Sequence, residues 1–120
     1  MNYEDMSNWE ITRRVVEIQC SGQNIKFLPQ RDILEPMISG VMSDELKIIT
    51  ESDREQIIDV CNNPSDAWPI IVENGISIDF WGDSWGADIQ LDGEVAFEHL
   101  DKNPLRAAMI CFLKMKDTGK

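Results

Sequence analysis

The sequence predicts an α+β fold in a single domain of 120 residues. It should contain an N-terminal helix, a short middle helix and a three-stranded antiparallel meander packed by a C-terminal helix. Three patterns indicate this: a capped amphipathic segment at the start, period-two alternation over residues 76–100, and a wide apolar stripe at helical spacing after residue 103. A chain of this length can bury roughly two-thirds of its unfolded surface, which is enough for one core.

The first helix is predicted over residues 8–19. Ser7 followed by Glu10 has the spacing of a capping box, in which each side chain meets an otherwise unpaired main-chain donor. Met6 and Ile11 have the spacing of a hydrophobic staple across the same cap. Apolar residues then recur at helical spacing: Ile11, Val15 and Ile18.

Residues 23–60 carry weaker signals, and we treat this part as an irregular middle. A short strand is predicted at residues 25–28, because Pro29 cannot continue it. A second is predicted at residues 46–50, which are short and rich in β-branched side chains.

Two further stretches of this middle are ambiguous. Residues 33–38 contain Pro36 and are typical of a turn or a short broken helix. Residues 52–60 fit either a capped helix or a strand, because their apolar residues match neither period cleanly.

The middle helix is predicted over residues 66–74. Asn63-Pro64 is helix-start chemistry, but Pro69 lacks the N–H that an unbroken helix from that point would need. We therefore expect a turn there and a helix capped by Asp66. Asn74-Gly75 should end it, since glycine readily adopts the left-handed conformation.

The meander is predicted from alternation of apolar and polar residues between 76 and 100. Gly82-Asp83-Ser84 is turn chemistry, and Asp92-Gly93 is a strong signal for a two-residue hairpin loop. One face should be buried. The residues predicted to face inward are Ile76, Ile78, Phe80, Trp85, Ala87, Ile89, Leu91, Val95 and Phe97.

The last helix should begin at Asn103-Pro104, where Asn caps and Pro occupies the first helical position. Its apolar stripe is wide enough to cover one face of the meander. The stripe consists of Leu105, Ala108, Met109, Phe112 and Met115.

Three segments of the chain stand out: MNYEDMSNWEITRRVVE, CNNPSDAWPIIVENGISI and KNPLRAAMICFLKMK. Together they resemble the NinX-type family of small proteins of lambda-like phages and prophages. The middle block is the most specific, and residues 20–60 carry no matching motif. The resemblance implies an accessory phage protein in a bacterial cytoplasm. It implies no catalytic or ligand-binding residue.

The net charge of −11 can be assigned to residues 55–101, which hold eleven carboxylates and no Lys or Arg. This argues against direct binding to nucleic acid, whose phosphates need cationic partners, and against an anionic membrane surface. The chain has no apolar run long enough to span a membrane, and its polar, acidic N-terminus is no signal peptide. We expect it in the cytoplasm of the bacterial host cell.

The thiols and the single histidine offer little chemistry. Cys20, Cys61 and Cys111 are far apart and odd in number, which predicts free thiols, mostly buried, in a reducing compartment. His99 is the only histidine of the sequence, so a zinc site with several histidine ligands is excluded. It should lie in line with Phe97 or at the strand end, and its pairing with a thiol nucleophile stays conceivable. We expect no enzyme, no metal and no cofactor.

The candidate partner-binding residues lie on or beside the polar face of the hairpin: Asp79, Trp81, Asp83, Asp88 and Asp92. We expect the carboxylates of residues 55–101 to gather on one open side without cationic neighbours. Trp81 alternates onto the side of Asp79, where an exposed indole would anchor a partner. Alternatively, Trp81 folds over Gly82-Asp83 and the acidic face is only solvated. Trp68 and Trp85 should be core residues, and Trp9 should pack at its edge.

The leading hypothesis is a non-enzymatic accessory protein that binds a host or phage protein with a basic surface. One alternative is a nucleic-acid mimic whose carboxylates fill the phosphate-binding groove of a host nuclease or defence complex. Another is a small metal-dependent enzyme that uses the hairpin carboxylates. A homodimer formed through the apolar middle segment is a further possibility.

Overall fold

The structure, a computed structural model, describes residues 2–30 and 42–119. Within these ranges the fold is α+β, as predicted, with three α-helices and two three-stranded antiparallel sheets. A 3-10 turn at Tyr3–Asp5 comes first. The elements that follow are α1 (Asn8–Gln19), β1 (Lys26–Phe27), β2 (Leu46–Ile49), β3 (Glu55–Ile58), α2 (Pro64–Asn74), β4 (Ile76–Phe80), β5 (Trp85–Leu91), β6 (Glu94–Asp101) and α3 (Pro104–Asp117).

Helix α1 begins and ends where the sequence predicts. Ser7 Oγ accepts a hydrogen bond from Glu10 N (3.1 Å), and Glu10 Oε1 accepts one from Ser7 N (3.3 Å). The capping box thus pairs two main-chain N–H groups at the helix start. Ile11 and Val15 are fully buried, and the helix packs against α3 and β2.

The irregular middle contains a sheet that the sequence did not predict, in strand order β1-β2-β3. The strands predicted at residues 25–28 and 46–50 are present as β1 and β2. The ambiguous residues 52–60 contain a strand, β3. The turn or broken helix predicted at residues 33–38 lies outside the described residues.

This first sheet is held to the rest of the fold by a small apolar cluster. Leu46 and Ile48 of β2 are buried against Val16 of α1. The turn between β2 and β3 carries Asp53 in the left-handed conformation, with φ of 59°. Asp is one of the few residues other than Gly that accept this conformation at modest cost.

Helix α2 begins earlier than predicted. Asn63 Oδ1 accepts a hydrogen bond from Ser65 N (3.0 Å), so Asn63 is the cap and Pro64 is the first helical residue. The prediction that Asp66 caps this helix is therefore wrong. Pro69 stays inside the helix because the carbonyl it leaves without a donor belongs to Ser65, which is exposed to water in the first turn.

Strands β4, β5 and β6 form the predicted meander. Asp92-Gly93 closes the β5–β6 hairpin with φ of 55° and 81°, as a two-residue loop of this composition requires. A register shift leaves Ala96 of β6 without a cross-strand partner. The two-residue loop places Val95 opposite Gln90 on the outer side, where it is 51% exposed, so its predicted inward position is wrong. The bulge then returns Phe97 to the inner side.

Two other apolar positions of the meander also differ from prediction. Phe80 is 60% exposed and Leu91 is 43% exposed, because each ends its strand at the margin of the sheet. Phe80 instead packs its ring against Trp85, with 4.9 Å between ring centroids. Phe97 remains on the inner side and is half-buried.

Helix α3 is buried on all sides over residues 107–113. One side packs against the meander, and other sides contact α1 and α2. The predicted stripe therefore describes only part of its buried surface. Four residues of this helix outside the predicted stripe are also fully buried: Ala107, Ile110, Cys111 and Leu113.

Trp68 is not a core residue, contrary to prediction. It lies on the outer side of α2 and is 61% exposed. Val72, four residues later and therefore on the same side of the helix, is 60% exposed. The inner side of α2 is formed by Ala67, Ile70 and Ile71, which are buried.

Candidate protein-binding face

The outer surface of the meander, on the side away from α3, carries part of the predicted site. Asp79 lies opposite Gly86, and Asp88 lies opposite Ser77 on one side and Glu98 on the other. Because side chains alternate along a strand, these residues share one face. We call it the acidic face and define it as Ser77, Asp79, Trp81, Gly86, Asp88, Glu98 and Leu100.

Trp81 lies over Gly86 in the middle of the acidic face. A Cβ atom added at Gly86 would be 2.6 Å from Trp81 Nε1 and 3.1 Å from a methyl carbon of Leu100. The indole is therefore in contact with the sheet where a side chain is missing. It is 69% exposed, which is one of the two arrangements that the sequence left open. The alternative that it folds over Gly82-Asp83 is wrong.

A shallow cavity of about 490 Å³ borders the indole. Its lining includes Trp81 and Leu100 and the carboxylates of Asp79, Asp88 and Glu98. Lys114 also lines it, but its Nζ donates to the main-chain oxygen of Glu98 (2.8 Å) rather than to a carboxylate. The cavity combines an aromatic surface with negative charge, which is the chemistry that attracts an ammonium or guanidinium group.

The carboxylates of the acidic face have no cationic partner in the part of the chain described by the structure. Asp79, Asp88 and Glu98 are absent from its ion pairs, which involve other residues. Asp88 and Glu98 are direct cross-strand neighbours, so like charges are held close together. A cation placed between them would relieve this repulsion.

Asp83 and Asp92 are not part of the acidic face, although the sequence groups them with it. Asp83 lies in the turn before β5, and Asp92 lies in the turn after it. The strand between them is roughly 20 Å long at about 3.3 Å per residue. The structure therefore brings together Asp79, Trp81 and Asp88 and leaves the other two at opposite ends.

The expectation that all carboxylates of residues 55–101 gather on one open side is also wrong. Asp101 pairs with Arg106 Nε (3.1 Å), and Glu55 pairs with Lys47 Nζ (2.9 Å). Asp66 accepts a hydrogen bond from Asp59 N (2.9 Å). These carboxylates have partners within the fold, and the open negative surface is correspondingly smaller.

Four residues of the acidic face were not among the predicted site residues: Ser77, Gly86, Glu98 and Leu100. Gly86 was seen only as a strand glycine, and Glu98 and Leu100 were not assigned to a face. The alternation of β6 held the necessary signal. Pairing β6 with β5 in the register of the two-residue Asp92-Gly93 loop places Glu98 near Asp88, once the bulge is counted.

His99 lies on the inner side of β6, in line with Phe97 as predicted, and is 8% exposed. Its Nε2 has no hydrogen-bond partner among the described residues. Burial, followed by the charge of Lys114, lowers the pKa of His99 below its usual range. Burial raises the pKa of the thiols of Cys61 and Cys111 to about 12, and neither thiol bonds to His99.

His99 should make the stability of the protein depend on pH. Its pKa is lower in the folded state, so the unfolded chain takes up a proton first as the pH falls through about 6.5. The contribution of His99 to the free energy of unfolding is fully present above that pH and is lost as the pH falls toward the pKa of His99 in the folded state. Urea unfolding at pH 7.5 and 5.5 should therefore show that the free energy of unfolding decreases more between these pH values in the natural protein than in His99→Gln. Equal losses in both proteins would contradict this.

Metal binding by the hairpin carboxylates has limited geometric basis. Asp79 and Asp88 are diagonal rather than direct neighbours across the β4–β5 pair. Over residues 2–30 and 42–119, no group of three or more His, Cys, Asp or Glu side chains is arranged to hold a metal ion.

Fold and site together define a small acidic α+β protein with a carboxylate-rich sheet face around an exposed indole. No helix in the described ranges is long and apolar enough to cross a membrane. A family model described as bacteriophage P22 NinX matches residues 2–116, so the chain belongs to this family of phage proteins, as the resemblance predicts. The match includes residues 20–60, where no motif was recognised. Searches of curated proteins and of solved structures found no match.

Proposed function

We propose that this member of the NinX family is a non-enzymatic accessory protein that binds a basic surface of a host or phage protein in the bacterial cytoplasm. The acidic face is the contact. The observation that carries this proposal is the position of Trp81, which lies on Gly86 among three carboxylates that form no ion pair with the described residues.

The acidic face suits a basic partner for two physical reasons. Carboxylates gathered on one side of a domain of net charge −11 speed the approach of a positive surface and orient it. An exposed indole then supplies a large apolar contact and stacks well against Arg or Lys. Charge thus selects the partner, while Trp81 provides most of the short-range energy.

Charge reversal with a matched control tests the proposal. The double variant Asp79→Lys/Asp88→Lys changes the charge within the acidic face, whereas Asp83→Lys/Asp92→Lys makes the same change outside it. The natural protein and both variants are immobilised and exposed to lysate of the bacterial host. Proteins retained at low salt are identified by mass spectrometry, and their affinities are then measured with purified partner.

A specific partner should lose at least tenfold in affinity with Asp79→Lys/Asp88→Lys and less than about threefold with the control, because rim charges act mainly through screened, long-range attraction. Equal losses with the two variants would mean that only net charge matters. A partner unaffected by either variant and by salt would exclude the acidic face as the contact.

The indole contribution can be measured separately from the charge. Trp81→Ala keeps every carboxylate and should weaken partner binding about 30-fold, as expected for a central aromatic anchor worth about 2 kcal/mol. Trp68→Ala is the matched control, since Trp68 is similarly exposed but lies on α2. A larger loss from Trp68→Ala than from Trp81→Ala would place the contact elsewhere.

A further inference from the structure

Strand β3 has an open edge that the acidic face does not involve. It pairs with β2 on one side, and no strand among the described residues pairs with its other side. Thr50 N donates to Arg54 O at the start of this ladder (2.9 Å). Because bonding alternates along an antiparallel pair, the main-chain N–H and C=O groups of Glu55 and Ile57 point away from β2.

An apolar groove of about 600 Å³ runs beside this edge. Val15 and Val16 of α1 line it, and Pro69 and Ile70 of α2 line it as well. Ile57 lies at its margin and is 50% exposed. Extended segments that add to a sheet use two features: main-chain groups that point outward from the edge strand, and an apolar groove beside it.

The rim of the groove is negative. Asp66 and Glu73 line it together with the amides of Gln19 and Gln56, and no Lys or Arg is among the described residues that do so. A segment that enters the groove therefore gains from carrying a basic side chain.

The open edge is short. The N–H of Asp59, which would be the next outward group after Ile57, already donates to Asp66 Oδ2 (2.9 Å). An added strand can therefore use the donors and acceptors of Glu55 and Ile57 before it must leave the sheet.

A second copy of this chain is a poor occupant. Two β3 edges that bond antiparallel through their outward groups have three symmetric registers. These place Glu55 opposite Glu55, Glu55 opposite Asp59, or Asp53 opposite Asp59 of the other copy. Each register opposes carboxylates, which is destabilising, and each molecule has a net charge of −11.

We propose that β3 accepts an extended segment of another protein as an added strand, with an apolar side chain in the groove and a Lys or Arg against Asp66 and Glu73. This is a second binding surface, and it does not depend on the function proposed for the acidic face.

The test uses the full chain and a short, end-blocked peptide of alternating valine and lysine. In ¹⁵N-labelled protein, the peptide should shift the amide signals of Glu55 and Ile57 and slow their hydrogen exchange about tenfold. A matched peptide with N-methyl groups on the residues that would donate to β3 keeps the side chains but loses the main-chain bonds. It should not protect either amide.

Two variants complete the design. Ile57→Pro removes an outward N–H without touching the bonds to β2, so it should abolish binding while preserving the fold. Asp79→Lys/Asp88→Lys changes only the acidic face and should leave peptide binding at β3 unchanged.

Three outcomes would overturn the inference. The first is that the N-methylated peptide binds as tightly as the unmodified one. The second is that up to about 1 mM peptide shifts neither the Glu55 nor the Ile57 amide signal. The third is a concentration-dependent dimer in sedimentation that Ile57→Pro abolishes. The first two would exclude strand addition, and the third would assign the edge to a second copy. The peptide comparison remains decisive if Ile57→Pro fails to fold.

Discussion

Replacing Phe112 with alanine should lower the free energy of unfolding by about 3–5 kcal/mol, the range for truncating a fully buried aromatic ring. Phe112 is among the largest side chains with 0% exposure, and it lies in the helix packed between the meander and the other two helices. Its removal leaves a cavity in contact with several elements at once. Small domains are stable by only about 5–15 kcal/mol, so much of the total would be lost.

Urea unfolding followed by Trp fluorescence measures this effect, and the thermal midpoint should fall by more than about 10 °C. Phe112→Leu should recover most of the stability because it restores most of the volume. Trp68→Ala removes a larger ring from an exposed site, so it should change stability by less than about 1 kcal/mol. A similar loss from both alanine variants would contradict the central position of α3.

Replacing Arg106 with alanine should cost about 3 kcal/mol, because it breaks a largely buried ion pair and leaves its partners unsatisfied. The guanidinium donates to Asp101 Oδ2 (3.1 Å), to Asn8 Oδ1 (2.7 Å) and to the main-chain oxygen of Met6 (2.7 Å). The side chains of Arg106 and Asp101 are only 14% and 20% exposed. Arg106 therefore joins the N-terminal segment and the end of β6 to α3.

Arg106→Lys separates charge from geometry. Lysine retains the positive charge but not the planar fork, so an intermediate loss is expected. Arg13→Ala is the control for an exposed pair, since Arg13 and Glu17 are 44% and 40% exposed. It also removes the contacts of Arg13 with the rings of Trp9 and Phe27, so a loss of up to about 1 kcal/mol is expected. If Arg106→Ala were as mild as Arg13→Ala, the proposed link between chain start and α3 would be incorrect.

Local chemistry was sufficient to predict several elements closely. Ser7 and Glu10 set the start of α1, and Asn103 caps α3 by accepting hydrogen bonds from Leu105 N (2.9 Å) and Arg106 N (3.2 Å). Gly75 ends α2 in the left-handed conformation, with φ of 63°. These features involve residues within a few positions of one another, so their spacing along the chain specifies their geometry.

The first sheet was not predicted because its strands are short and their pairing is not local. β1 has two residues, and its partners in β2 lie 21 and 23 positions further along the chain. Neither element is long enough to show a clear period. The environment that buries Leu46 and Ile48 comes from Val16 on α1, which no pattern within the strands reveals.

The candidate site shows the same division. Alternation over residues 76–81 placed Asp79 and Trp81 on one side but left two positions open for the indole, of which the structure has the exposed one. The contact between Trp81 and Gly86 depends on cross-strand register, and the addition of Glu98 depends on the bulge in β6. The loss of Asp101 from the open surface depends on Arg106, which follows in α3.

By itself, the sequence determined the caps of α1 and α3, the hairpin turn, the alternation of the meander and the large negative charge, because each is a property of neighbouring residues. The tertiary structure decided which carboxylates stay unpaired, why α3 is buried on every side, and why Trp68 is exposed. Those outcomes depend on which surfaces meet. Packing joins residues that are distant in the chain, and their ion pairs and contacts exist only after the elements have assembled.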